Sequence, residues 1–425
     1  MMKKKLKNFL FAKIKKIFFP FYKNKEILKI FDTLEKDLPK KSNAAMFVGG
    51  CVRKYILDEK IDDIDIATIF TPKEIKEKFK KTDVKVIDTG TDHGTVTLIS
   101  NNKKLELTTL RKDIKTYGRH ADVSFTDNWE EDSERRDFTI NAIYLDRRGN
   151  FFDPQLGIQD LKKGEIKFIG DPNKRIEEDY LRIIRFLRFA LEYDHNSFEK
   201  STLEAIKVNL NGIKNISKER IFSELQKIFK LNNFKKLADK KELKIIFSIL
   251  FPEFKYLDRF KKFKYLADND LEKIDVNLIL SILLIDKTNN HEYFCHKYKV
   301  SNLIKEKLNS LAEIFLLFQS DKNFIKNNLR KNIYLFGKKN IKLFFYFLFF
   351  SNEKMLIKEL LQNINNLEKI SIPKFPFNGD YLLKRGISEG KKIGSILKAL
   401  EQEWINNNYE LSEKRVLNVI EKNKV

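Results

Sequence analysis

The chain is expected to be an α+β protein, a strand-rich N-terminal region followed by a long all-α arm. Three observations carry that expectation. From about Met46 to Ile169, short apolar or alternating runs rich in β-branched residues are separated by turn signals. Glycines 49, 50, 90, 94, 118, 149 and 157 all fall in that stretch. After Asp171-Pro172, Leu, Ile, Phe, Lys and Glu recur at helical spacing to residue 425, with few glycines.

Taken in order, residues 1–44 read as a basic arm and helix. The first 25 residues hold nine lysines and no acid, with Phe9, Leu10, Ile14 and Ile17 as an apolar face. That stretch is a poor signal peptide, because no long apolar core or small-residue cleavage site is present. MFVGG opens the strand region. PKEIKEKFK, from Pro72 to Lys80, is the clear helix, with Thr71 as N-cap and Pro at the first helical position. KVIDTG, TVTLIS, KLELTTLR and NAIYLDRRGNFFD are the further strands, and 45–170 forms the head. The helical remainder divides into 171–230, 231–372 and, after a linker at Pro373 to Gly379, 373–425. No 34- or 40-residue repeat is present.

Lys and Arg number 83 against 60 Asp and Glu, a formal charge of +23. A polyanion such as nucleic acid is the natural partner. A/T-rich codon drift also supplies lysine, so charge is only a lean. Two cysteines without a CxxC pair exclude a zinc finger and make a disulfide framework implausible. A reducing, cytoplasmic setting is expected. The longest apolar run, LFFYFLFF at 343–350, is too short to span a bilayer, so no stable membrane insertion is expected.

In this basic chain, Asp58, Glu59, Asp62, Asp63 and Asp65 crowd together. On a strand, Asp63 and Asp65 point to one face and repel unless a cation lies between them. Mg²⁺ takes oxygen ligands and shares a phosphate. Two such ions roughly 3.5–4 Å apart serve an in-line phosphoryl displacement. Gly49 and Gly50 close the first strand and let backbone N–H groups approach a phosphate, with Arg53 one step on. No GxxxxGK[ST] loop exists. The bland alternative is an acidic turn with ordinary surface charges.

VGGCVR followed by DIDIAT resembles the signature of class II, bacterial-type tRNA CCA-adding nucleotidyltransferases and the related bacterial poly(A) polymerases. The resemblance continues through HGTVTL…LELTTLR, GRHADVSF, RRDFTINAIYLD, DPQLGIQDLKKGEIKFIGDP, and EEDYLRIIRFLRFA with SKERIFSELQKI. It covers roughly residues 45 to 230, and FNGDYLLKRGISEGKKIGSILKALEQEWI is similar to the family's closing segment. It implies a nucleotidyltransferase head with a small polymerase-β-like sheet, then a helical neck that recognises the base, a body and a tail.

The resemblance assigns Asp63 and Asp65 to metal and Glu106 as a third acid, its alternative being an exposed strand Glu. Arg111 and Arg119 would contact RNA or the loop. His93 is read as a turn or packing residue, since phosphoryl transfer needs no His base. Arg135, Arg136 and Asp137 suit a triphosphate and a ribose hydroxyl, with Asn141 orienting the turn; by themselves they read as a salt-bridged turn. Asp179, Arg182, Arg185 and Arg188 recur every three residues, as one helix face. The alternative is a solvated basic face. An acceptor and a donor together match the amino group and ring nitrogen shared by cytosine and adenine, while a carboxylate repels the carbonyl of uracil or guanine. Arg185 and Arg188 would then serve phosphates.

The implied activity is template-independent addition of CCA to tRNA 3′ ends from CTP and ATP, with pyrophosphate released and Mg²⁺ as cofactor. The alternatives are a poly(A) polymerase, a partial CC- or A-adding enzyme, and a non-catalytic RNA-binding protein. KVIDTGTDHGTVTL stands where poly(A) polymerases usually carry an arginine-rich strand, so the CCA type is favoured. Intact DxD, RRD and EDxxR motifs oppose the non-catalytic reading. No HD doublet occurs, so no appended phosphohydrolase is expected.

Overall fold

Nine strands form among the described residues, all before residue 153: β1 (Ala45–Val48), β2 (Asp65–Thr68), β3 (Lys85–Gly90), β4 (Thr95–Ser100), β5 (Lys103–Thr109), β6 (Arg111–Tyr117), β7 (His120–Phe125), β8 (Tyr144–Leu145) and β9 (Phe151–Phe152). This computed structural model describes residues 24–39, 43–91, 94–101, 103–117, 120–194, 198–267, 274–321, 323–352, 354–387 and 390–423, with side chains outside 113–123. The arm up to residue 23, His93 and Arg119 lie outside the described residues.

Seven strands make one sheet in the order β3-β4-β5-β2-β1-β8-β9, and β6 and β7 pair separately. Only β2 and β5 pair in parallel within that sheet. β1 is apolar at every position and fully buried, as expected of a central strand covered on both faces.

The helices of the head have local causes. α1 (Lys25–Glu35) is capped by the Asn24 side chain and buries Ile27, Ile30, Phe31 and Leu34. α2 (Gly50–Ile56) follows β1 directly. α3 (Pro72–Phe79) carries the Thr71–Glu74 capping box with Pro at its start, where the sequence places a helix. α4 (Trp129–Glu134) and α5 (Gly157–Lys163) lead to the helical region.

α6 (Pro172–Glu178) and α7 (Leu181–Glu192) are two helices, not one. Asp179 between them has extended backbone, φ −153° and ψ 104°, so the row from Asp179 to Arg188 is not a single helical stripe. Ile183, Ile184, Phe186, Leu187 and Phe189 are buried. Phe138 lies 4.8 Å from Phe168 and 5.5 Å from Phe189, and Phe168 stacks on Phe186 at 5.9 Å. This aromatic cluster fixes α7 on the head. α8 (Lys200–Asn209) and α9 (Lys218–Phe229) pack against α6 and α7 respectively. Phe229 continues into a Phe234, Phe247 and Phe254 core.

By contacts the chain divides into residues 1–261 with 297–299, and residues 262–296 with 300–425. In the second unit, LFFYFLFF lies within helix Lys338–Ser351 and is a core element, with Phe344, Phe345, Phe347 and Phe350 buried. No helix among the described residues is long and apolar enough to cross a membrane. Pro373 to Gly379 is not a loose linker, because Phe375 packs on Trp404 at 5.4 Å and Phe377 on Tyr381 at 4.8 Å.

Candidate active site

The parallel pairing puts Asp65 in register with Glu106 of β5, 41 residues on in sequence. Asp63 lies just outside the strand and is exposed, its Oδ1 accepting from the Ile64 amide at 3.1 Å. The two aspartates thus meet at a loop–strand junction rather than on one strand. Burial, then the charge of Asp63, then that of Glu106 push the Asp65 carboxyl from 3.8 to about 6, against Arg136 and Arg53. Among the described residues, no three His, Cys, Asp or Glu side chains already form a ligand set. A partly buried carboxylate in the field of two others is an oxygen donor set short of positive charge, and it fits a hard divalent cation.

Gly49 makes the turn from β1 into α2 at φ 73°, and a Cβ there would stand 3.3 Å from Asp65 Oδ2. The backbone favours glycine there, and the space beside Asp65 is tight for a side chain.

Beside Asp65 opens a cleft of about 460 Å³. It is lined by Gly49, Gly50, Arg53, Asp65, Arg111, Arg135, Arg136, Asp137, Asn141, Asp179, Arg182, Arg185 and Arg188. Sequence reasoning named all of these; Glu178, Leu181 and Arg220, to which it gave no site role, and Phe189, whose spacing places it on the core face, complete the lining. Asp63 and Glu106 are not part of it. Eight arginines against four carboxylates leave the cleft positive, as a triphosphate requires.

The partners of these arginines differ from the motif-level expectation. Arg135 and Arg136 pair with Asp132, at 2.6 and 2.9 Å, not with Asp137. Asp132 is fully buried and also accepts from Tyr144 OH at 2.7 Å. Burial pushes its carboxyl up, but Arg136, Arg135 and the Tyr144 hydrogen bond outweigh that and hold it far below the carboxylate range. Asp137 instead accepts from Arg185 Nε at 2.7 Å and Asn141 Nδ2 at 2.7 Å. Its carboxyl is likewise depressed, burial being overcome by Arg185 and Asn141.

Arg185 and Arg188 are therefore held by carboxylates rather than standing free for phosphate. Arg188 Nε donates to Glu224 at 2.8 Å and its guanidinium lies 4.1 Å over Phe189. Arg53 donates to Tyr193 OH at 2.7 Å and to Asn141 Oδ1. Arg182 donates to Glu178 and to the Arg175 carbonyl, at 2.6 and 2.7 Å. Arg175 reaches back to the carbonyls of Arg135 and Arg136, tying α6 to the arginine pair. Asp179 pairs with Arg220 at 2.7 Å.

Sequence reasoning missed Asp132, although its place three and four residues before its arginines, a helical pairing distance, was a signal that could have found it. Glu224 and Arg220 carried no such signal. Cys51 is buried, and that burial raises its thiol to about 12, so it offers no nucleophile.

The raised Asp65 pKa gives a measurable consequence. In metal-free protein, the unfolded chain releases this proton near 3.8 and the folded chain near 6, so stability falls as pH rises across that window. Asp65→Asn is expected to raise metal-free stability at pH 8 by about 1–3 kcal/mol and to change it little at pH 4. Thermal unfolding in chelator at both pH values checks this; equal shifts at both would refute the repulsion.

Residues 45–167 match the family model described as the poly A polymerase head domain. Residues 197–257 match a probable RNA and SrmB binding site of polymerase A, and 272–420 a putative domain 2 of tRNA nucleotidyltransferases. The chain is 33% identical over 400 residues to the mitochondrial CCA tRNA nucleotidyltransferase 1 of Homo sapiens, covering 90% of this chain and 88% of that protein. It is 30% identical over 394 residues to the CCA-adding enzyme of Streptococcus uberis, covering 89% and 94%. The fold matches the Bacillus stearothermophilus CCA-adding enzyme solved with CTP, with a TM-score of 0.73 at 23% identity over 95% and 98% of the two chains. It also matches the Thermotoga maritima CCA-adding enzyme solved with tRNA, with a TM-score of 0.63 at 20% identity over 94% and 96%.

Proposed function

Because this chain belongs to the CCA tRNA nucleotidyltransferase family, we infer that it adds CCA to the 3′ end of tRNA from CTP and ATP, releasing pyrophosphate. The observation that carries the reading is the arginine-lined cleft that runs from Asp65 to Asp179 and Arg182. It is the juxtaposition a base-selecting polymerase without a nucleic-acid template requires.

Enzymes of this family use a divalent metal, and the oxygen-only donors at Asp63, Asp65 and Glu106 favour Mg²⁺ over softer ions. When bound there, Mg²⁺ supplies charge neutralisation for the attacking and leaving oxygens. The protein's own part is positioning. Arg135 and Arg136, oriented by Asp132, face the cleft to receive triphosphate oxygens. Asp137 holds Asn141 and Arg185 rather than leaving either to rotate. Asp179 offers a carboxylate to the base amino group and Arg182 a donor to the ring nitrogen. Both cysteines are buried and free, in keeping with a cytoplasmic protein.

One gel tests the reading: labelled tRNA lacking its CCA, with each nucleotide singly and all together. The wild type is expected to add C, C and A and stop. A long A ladder from ATP alone would assign the chain to poly(A) synthesis. Asp179→Ala is expected to lower the preference for CTP over UTP roughly ten- to a hundredfold, since a good base-edge pair is worth about 1–3 kcal/mol. An unchanged preference would return Asp179 to a purely structural role.

A further inference from the structure

Asp179 does not sit on a helix that would fix its side chain. It occupies the extended junction between α6 and α7. Two hydrogen bonds orient its carboxylate: the Leu181 amide donates to Oδ1 at 3.2 Å, and Arg220 Nη2 donates to Oδ2 at 2.7 Å. The Arg–Asp pair is largely shielded, with side-chain exposures of 22% and 18%. Arg220 lines the same cleft.

From this arrangement we infer that Arg220 is a positioning residue that aims the Asp179 carboxylate at the incoming base and thereby sets discrimination against uracil and guanine. The inference rests on the proposed base-reading role of Asp179.

Three observations support it. First, Arg220 stands in the first turn of α9, where the helix dipole disfavours a cation. Its place there is compensated by the carboxylate it reaches 41 residues away. Second, the other hold on the Asp179 carboxylate is the Leu181 amide at 3.2 Å. Without Arg220, one backbone hydrogen bond alone would fix it, leaving Oδ2 no partner among the described residues that sets its direction toward the base. Third, the neighbouring residue is seated by the same part of the chain. A Cβ on Gly212 would lie 2.0–2.4 Å from the Tyr180 ring, so that ring rests directly on the glycine backbone. The segment 210–220 therefore holds the junction at Tyr180 and at Asp179. A carboxylate oxygen accepts and does not donate, which is the property that repels a carbonyl.

The test is single-nucleotide incorporation into tRNA lacking its CCA, read as the ratio of CTP to UTP rates. Wild type, Arg220→Gln, Arg220→Lys, Asp179→Ala and Arg220→Gln/Asp179→Ala are compared. Arg220→Gln is expected to reduce the ratio about tenfold, the loss of one charge-assisted hydrogen bond. Arg220→Lys, keeping the cation, should stay within about threefold of wild type. The double variant should match Asp179→Ala within about twofold, because Arg220 acts only through Asp179. Additive losses, or an Arg220→Gln enzyme that is slower with an unchanged ratio, would overturn the inference while leaving Asp179 as base reader. An Asp179→Ala enzyme with the wild-type ratio would overturn the base-reading role itself. If Arg220→Gln does not fold, Gly212→Ala serves in its place. It pushes Tyr180 off its seat with Arg220 intact, and it should lower the ratio in the same direction. An unchanged ratio there would equally overturn the role assigned to the 210–220 segment.

Discussion

Asp65→Ala, and separately Asp63→Ala, are expected to lower nucleotide incorporation at least about a thousandfold, some 4 kcal/mol of transition-state stabilisation. tRNA affinity should stay within a few-fold, because binding draws on the basic surface and not on this acid pair. Asp65 stands at the start of β2 beside Glu106 and below Gly49, and its carboxyl is lifted to about 6 by burial and by Asp63 and Glu106. A group so placed is destabilising unless a cation answers it, so its presence points to chemistry rather than packing. The measurements are single-turnover incorporation and filter binding, with thermal unfolding as a control. Asp65→Ala should unfold at or above the wild-type temperature without metal, which separates loss of catalysis from loss of fold. Turnover within tenfold of wild type in either variant would remove these residues from the reaction.

Asp132→Ala is expected to destabilise the first unit by about 3–5 kcal/mol, the usual result of stripping one partner from a buried charge network. Its carboxylate is 0% exposed and takes both Arg135 and Arg136 together with Tyr144 OH. Removing it leaves two guanidiniums of 15% and 16% exposure facing each other without an anion. Asp132→Asn should be nearly as damaging, since an amide cannot neutralise either cation and directs N–H groups at them. Urea unfolding followed by circular dichroism measures the difference. A loss below about 1 kcal/mol would mean that the arginines find other partners or solvent, and that the pair does not depend on Asp132 for its orientation.

Much of this was legible where the controlling interactions are local. Thr71, Pro72 and Glu74 announce a helix start because a cap is made within four residues. Gly49 was legible as a glycine closing the first strand ahead of the DxD, although its nearness to Asp65 was not. The apolar positions of α7 could be assigned to the core from their spacing alone. The second helical boundary was missed because Asp179 and Tyr180 interrupt a row that reads as continuous.

Residue types and short spacings determined the α+β class, the acid pair and the glycine pair, and the family resemblance added seven of the eight arginines of the cleft. Tertiary structure decided who holds whom. Parallel pairing of β2 with β5 set Glu106 beside Asp65. Asp132, not Asp137, became the partner of Arg135 and Arg136, while Asp137 went to Arg185, Glu224 to Arg188, and Arg220 to Asp179. The physical reason is that backbone geometry propagates over a few residues, whereas a charge chooses among all partners that folding brings within about 4 Å. In a chain with 83 cations and 60 anions, sequence order leaves that choice open.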